Sequence, residues 1–166
     1  MNNFKIREAT ELDVDFLWDM LYEAIYVKEG DQKPPRNILK HPNIASYLTN
    51  WGRKGDRGLI ATDSENRPVG AVWIRLFDGN NKTYGYLNEH TPILSMALLE
   101  EFRGRGIGTQ LLKAIINDSK FAGYSALSLS VDSDNPARHL YEKCGFNRLG
   151  LDGTSWDMVL TFNTGS

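Results

Sequence analysis

Residues 100–112, EEFRGRGIGTQLL, place three glycines and two arginines in the six positions from Arg103 to Gly108, just before a run with helical spacing. Gly104, Gly106 and Gly108 lack the Cβ atoms that would hold a ligand off the backbone. A loop that opens a helix also presents unpaired N–H groups and the positive end of a dipole, which together favour an anion, most often a phosphate. Arg103 and Arg105 add charge to the same place. The plain alternative is a tight strand-to-helix turn whose arginines face water.

Two phosphate loops do not fit. A Walker loop counted from Gly104 meets Thr109 where its second glycine belongs, with no lysine after it. A dinucleotide fingerprint fits Gly104 and Gly106 but again meets Thr109 in its last place, in mid-chain and after a hairpin rather than at the start of a repeated strand-helix-strand unit.

Working outward, ILSMALL (93–99) reads as a strand entering the loop. The helix leaving it runs from about Thr109 to Phe121, with Leu111, Leu112, Ile115 and Ile116 on its apolar side. YSALSLSV (124–131) alternates Leu127, Leu129 and Val131 against Ser128 and Ser130, a strand pattern. DNPARHLYEKCG (134–145) is a helix with marked ends: Asn135 as N-cap, Pro136 in the first turn and Gly145 beyond the last. Ala137, Leu140, Tyr141 and Cys144 share one of its faces. FNRLG and SWDMVLTF close the chain as two more strands.

Toward the N-terminus, FKIREA (4–9) alternates as a first strand. Thr10 and Asp13 have the spacing of a capping box, and residues 11–27 follow without glycine or proline. Phe16, Met20, Ala24 and Val27 line one face of this helix, and Trp18, Tyr22 and Tyr26 form a second stripe. Residues 28–42 are loop, and 43–52 form a short helix with Ile44, Tyr47, Leu48 and Trp51 inward. GLIATD (58–63) and PVGAVWIRLF (68–77), split by a turn-rich segment, form a hairpin. Residues 78–92 are irregular. This order predicts an α+β fold, with a mixed, mostly antiparallel sheet of about six or seven strands flanked by about four helices. At 166 residues we expect one domain, 1–166.

Bulk properties narrow the function. Nineteen basic against 21 acidic residues leave a net charge of −2, which provides no field for nucleic acid or an anionic membrane. The single cysteine, Cys144, lacks both a disulfide partner and metal-ligand spacing nearby, so no metal is expected and a reducing compartment fits. The charged N-terminus and the want of a long apolar run point to the cytoplasm.

Arg103-Gly104-Arg105-Gly106-Ile107-Gly108 also fits R-x-x-G-x-G, and here the chain resembles the GNAT superfamily of N-acetyltransferases. ILSMALLEEFRGRGIGTQLL looks like that family's fourth strand, pyrophosphate loop and third helix; LSLSVDSDNPARHLYEKCGF looks like its fifth strand and fourth helix. The resemblance implies a GNAT-like acyl-CoA N-acyltransferase fold and acetyl-CoA as cofactor. Its pyrophosphate would sit on the N–H groups of Arg103, Gly104, Arg105, Gly106, Ile107, Gly108 and Thr109. Its pantetheine arm would pair with the main chain of Met96, Ala97 and Leu98, beside Asn135 and Ala137. By the same resemblance a bulge near Met96 to Leu98 opens a cleft, the Leu98 N–H polarises the thioester carbonyl, and Tyr141 protonates the departing thiolate. Core packing is the plain alternative for Tyr141, and for Cys144 it is the better reading.

Many relatives carry a glutamate on the fourth strand as base, but this chain has Ile93 and Leu94 there. Glu89 is the first substitute, with His90 and Asp132 next. Trp18, Tyr22, Trp51, Trp73, Tyr84 and Tyr86, with Glu23, Glu29 and Glu89, are candidate walls for a cation-bearing acceptor, a small-molecule or peptide amine. The expected reaction is direct acetyl transfer in a ternary complex. A module that binds acyl-CoA without turnover, or a loop for a different nucleotide, remain as alternatives. An exposed terminal strand could pair across a homodimer.

Overall fold

The computed structural model describes residues 3–162. Its centre is a seven-stranded sheet in the order β1-β2-β3-β4-β5-β7-β6. The strands are β1 (Lys5–Glu8), β2 (Arg57–Thr62), β3 (Pro68–Arg75), β4 (Ile93–Leu98), β5 (Ala126–Asp132), β6 (Asn147–Asp152) and β7 (Ser155–Thr161). All neighbours are antiparallel except β4 and β5, which are parallel and joined through a helix. The expected mixed, mostly antiparallel α+β architecture is therefore present.

Two apolar layers sandwich the sheet. On one face α1 (Val14–Ala24), α2 (Pro42–Ala45) and the turns that follow α2 cover Ile60, Ala71, Trp73 and Ala97 with Leu17, Met20, Leu21 and Leu48. On the other, α3 (Ile107–Phe121) and α4 (Ala137–Lys143) cover Val72, Ile74, Leu94, Leu127, Leu129 and Met158 with Leu111, Leu112, Ile115 and Tyr141. Period-two alternation along each strand supplies both layers.

Thr10 and Asp13 form the capping box that the sequence predicts, opening a short 3₁₀ turn that runs into α1. The buried face of α1 is Leu17, Met20 and Leu21 rather than the line through Phe16, Ala24 and Val27. The helix ends at Ala24, so Tyr26 and Val27 never join it. Asp13 also accepts from both Arg7 nitrogens at 2.7 and 2.9 Å, locking β1 to the helix start. That bond, ahead of the opposing effect of burial, lowers the Asp13 pKa below its ordinary value. A depressed carboxylate contributes stability above its unfolded pKa and loses it as pH falls through the folded one. Asp13→Ala should thus cost about 1 kcal/mol near neutrality. The gap to wild type should close as pH drops below about 4 in urea titrations.

Candidate active site

The parallel pair β4 and β5 meets at one register point, Ile93 opposite Ser128, where Ser128 N–H donates to Pro92 O at 3.0 Å. Beyond it the strands part. On its other side β4 pairs one-to-one with β3 from Arg75–Ile93 to Gly70–Leu98, and Leu99 N–H donates to Val69 O at 2.9 Å. In an antiparallel ladder alternate residues direct both backbone groups at the same neighbour. Leu99, Ala97 and Ser95 therefore face β3, and the N–H groups of Met96 and Leu98 face the widening gap. The expected bulge near Met96 to Leu98 is absent from this register. The gap opens because β5 diverges, with β4 itself regular. Gly70 of β3 keeps Leu98 in place, since a Cβ there would collide with Leu98 Cδ2.

The glycine loop stands at the mouth of the gap. Gly104 (φ 76°) and Gly106 (φ 84°) hold left-handed backbone, a conformation strained for other residues, and open space lies where their Cβ atoms would be. Gly106 precedes α3 with no side-chain cap, so the first-turn N–H groups of Ile107, Gly108 and Thr109 have no intrahelical acceptor. Gly108 joins three elements: a Cβ there would lie 3.4 Å from Leu140 of α4 and 3.6 and 3.8 Å from Leu98 and Met96 of β4. Arg103 leans toward Glu23 of α1 at 3.5 Å, and Arg105 stacks over Phe102. Donors, open space above glycines and a strand edge with free N–H groups together fit a diphosphate continued by an extended amide arm.

α4 closes the far side. Asn135 Oδ1 accepts from Ala137 N–H at 3.0 Å, so Asn135 works as the cap although the regular helix starts one residue later than its spacing predicts. Its side-chain NH₂ is left for another acceptor. Tyr141 is buried, its ring edge-on to Phe146, and its hydroxyl makes no hydrogen bond among the described residues. Burial pushes its phenol pKa well up, so it stays protonated. Between α3 and α4 lies a groove of about 550 Å³, which begins at Thr109 and is flanked by Lys113, Lys143 and Cys144.

The acceptor-side candidates are scattered. Glu89 is exposed beside His90 and borders a separate cavity of about 270 Å³ with Arg53, Phe77 and Asp78. It precedes Ile93 at the closed end of β4, and Ile93 itself stands five residues from Leu98, or about 16 Å along the strand. Glu89 and Leu98 are thus not brought together, and His90 shares that exposed position. Asp132 Oδ1 caps the turn at Asp134 N–H. Trp73 is fully buried with Nε1 donating to Tyr47 O, and Trp51 stacks on Arg75, so neither reaches the gap. Tyr22 bonds Pro34 O at 2.6 Å beneath Lys33 and Arg36; Glu23 holds Lys33 and Arg103. Trp18 packs partly into the α1 layer, and Glu29 is exposed in the following loop.

Of the aromatic set, Tyr84 and Tyr86 flank Gly85, which lies against the backbone of Leu129 and Ser130. Tyr47 joins them by donating to Tyr84 O at 2.9 Å. Asp157 carries no sequence motif, and Ser128 and Ser130 read only as the polar side of a strand. Alternation along β7, Trp156 and Met158 against Ser155 and Asp157, was the available signal.

Over 78 residues, 43% of this chain, it is 37% identical to a ribosomal protein bS18-alanine N-acetyltransferase of Haemophilus influenzae, and that stretch spans 53% of the relative's length. A streptothricin acetyltransferase of Streptomyces lavendulae is 28% identical across 87% of this chain and 78% of its own. The PaiA N-acetyltransferase of Thermoplasma acidophilum, solved with coenzyme A, superposes with a TM-score of 0.64 at 20% identity, covering 96% of this chain and 99% of that one. With residues 18–146 matching the sequence model of the Acetyltransferase (GNAT) family, a family that uses acetyl-CoA, this chain belongs to it.

Proposed function

We propose that the chain is a single 1–166 domain that transfers the acetyl group of acetyl-CoA to a primary amine of a small molecule or peptide in the cytoplasm. The neutral amine attacks the thioester carbonyl directly, within a ternary complex. The C–S bond breaks after the C–N bond forms, the proton lost by nitrogen passes to solvent, and solvent reprotonates the Tyr141 phenolate. The observation that carries this reading is the opening between β4 and β5, with the N–H groups of Met96 and Leu98 turned into it beside the glycine loop. Acetyl-CoA supplies an acetyl group activated as a thioester. The first-turn N–H groups of α3 hold the diphosphate, and the helix dipole adds to their pull. Met96 N–H orients the amide arm, and Leu98 N–H polarises the carbonyl where negative charge develops. Asn135 and Ala137 flank the arm. Tyr141 gives its proton to the leaving sulfur; burial keeps the phenol protonated and so available as the donor when negative charge builds on the thiolate.

The α3–α4 groove extends this site, since it starts at Thr109 and ends between two lysines. Lys113→Glu with Lys143→Glu should raise the acetyl-CoA KM at least about tenfold, through lost attraction and new repulsion of the ligand's phosphates, with kcat little changed. Saturating CoA should also slow alkylation of Cys144 on the groove wall.

The reading is tested by following thiol release from acetyl-CoA across a panel of primary amines and peptides with free α-amines. Amine-dependent release with acetylated product establishes it; tight CoA binding with no transfer to any acceptor makes the chain a binding module instead. A homodimer formed along the edge strand β6, which exposes Leu149 and Leu151, belongs to the same reading.

A further inference from the structure

On β7 the residues Trp156, Met158 and Leu160 pack into the α3–α4 layer, so Ser155, Asp157 and Val159 project to the α1 side of the sheet. The β5–β7 register sets Asp157 opposite Ser130 and Val159 opposite Ser128. Cross-strand partners share a face, so Ser128, Ser130 and Asp157 form a polar strip on a side that is otherwise apolar. The strip runs along the strand that borders the opening with β4.

Three observations single out this strip. First, Asp157 is half-buried and makes no hydrogen bond or ion pair among the described residues. Burial first, and then the Asp152 carboxylate, raise its pKa above the ordinary value; no cation counters them. A desolvated carboxylate without a partner is costly and is stabilised by any cation that docks on it. Second, the Ser128 hydroxyl is completely buried and has no hydrogen-bond partner among the described residues. Third, the 78–92 loop crosses β5 at this level. A Cβ on Gly85 would stand 3.0 Å from the Leu129 carbonyl carbon and 3.1 Å from Ser130 N, which places Tyr84 and Tyr86 beside the strip. Tyr47 joins them through Tyr84 O, and the charge of Asp157 reaches its phenol.

We propose that the Asp157 carboxylate, standing across from Ser130 and beside the Tyr47–Tyr84 wall, binds the acceptor amine as its ammonium, before that nitrogen loses a proton to solvent and attacks, and sets the protein's preference for positively charged substrates. This rests on the acetyl-transfer reading, in which an acceptor must enter beside β5, and it takes over the anionic role that Glu89 is too far away to fill. Asp157 is a specificity residue here: it touches the acceptor, while polarisation at Leu98 and proton return from Tyr141 proceed elsewhere.

The test measures amine binding apart from turnover. Wild type, Asp157→Asn and Asp157→Glu, each saturated with CoA, are titrated calorimetrically with 1,4-diaminobutane, benzylamine and a pentapeptide with a free α-amine. At least one amine should bind wild type, and Asp157→Asn should weaken it about tenfold or more, the usual loss for a hydrogen bond to a charged group. Asp157→Glu should retain most of the affinity, and CoA binding should be equal in all three. Equal amine affinity in wild type and Asp157→Asn, no amine binding by wild type, or a matching loss of CoA affinity overturns the proposal. Asp157-dependent amine binding without thiol release from acetyl-CoA leaves the proposal standing and removes the transfer reading. Thiol release with an amine KM unchanged in Asp157→Asn does the reverse.

Discussion

Tyr141→Phe should fold as well as wild type, bind acetyl-CoA with a KM within a few-fold, and lose about 10²–10⁴ in kcat, the usual contribution of a positioned general acid. The separation of effects follows from the surroundings of the ring. Tyr141 packs edge-on to Phe146 in the α3–α4 layer, and its hydroxyl bonds to no described residue, so removing one oxygen opens no cavity and orphans no partner. Thermal unfolding should therefore be unchanged or slightly later. A thiolate leaving without a proton donor carries the whole loss, and acetyl thioesters with more acidic thiols should recover part of it. A variant that turns over like wild type would return Tyr141 to the core-packing role.

Asp56→Ala should destabilise the protein by about 3–5 kcal/mol, the range for removing one partner of a buried ion pair. For a chain of this size that is a fall of roughly 6–20 °C in Tm. Arg75 and Asp56 are joined by two bonds of 3.0 and 2.8 Å, with side chains only 1% and 2% exposed. Arg75 also donates to Ser46 O and Thr49 O, while Asp56 accepts from Gly52 and Arg53 N–H groups. One ion pair thus ties the end of β3 to the segment after α2 and to the turn before β2. Removing the carboxylate strands a guanidinium in the interior and frees two N–H groups. Replacing both residues, Asp56→Leu with Arg75→Met, should recover only part of the loss, because Ser46 O and Thr49 O still lack their donor. Chemical denaturation of the three proteins separates these cases through their midpoints.

Arg75 shows why some of this was hidden. In PVGAVWIRLF it reads as one exposed polar position at a strand end, and nothing local reveals an acid nineteen residues earlier that meets it in the interior. Glu89 shows the converse. Near β4 in sequence, it was a natural substitute for an acid missing from that strand, yet the strand carries it to the closed end of the sheet. Trp73 and Trp51 were apolar enough for a pocket wall and equally so for a core, and burial placed them in or against it. The opening between β4 and β5 was expected from a bulge, but it comes from divergence of a neighbouring strand, a property of two strands at once.

The amino-acid order alone determined most of the elements and the glycine loop, because strand and helix periodicity, the Thr10–Asp13 box, the Asn135 cap and glycines at positive φ are interactions within a few residues of chain. The tertiary structure alone decided which polar groups are desolvated and which stand near the gap. Ser128, Asp157 and Tyr47 lie far apart in sequence, and only sheet register with a crossing loop sets them on one wall. Burial and long-range proximity arise when separate elements pack, so no local pattern encodes them.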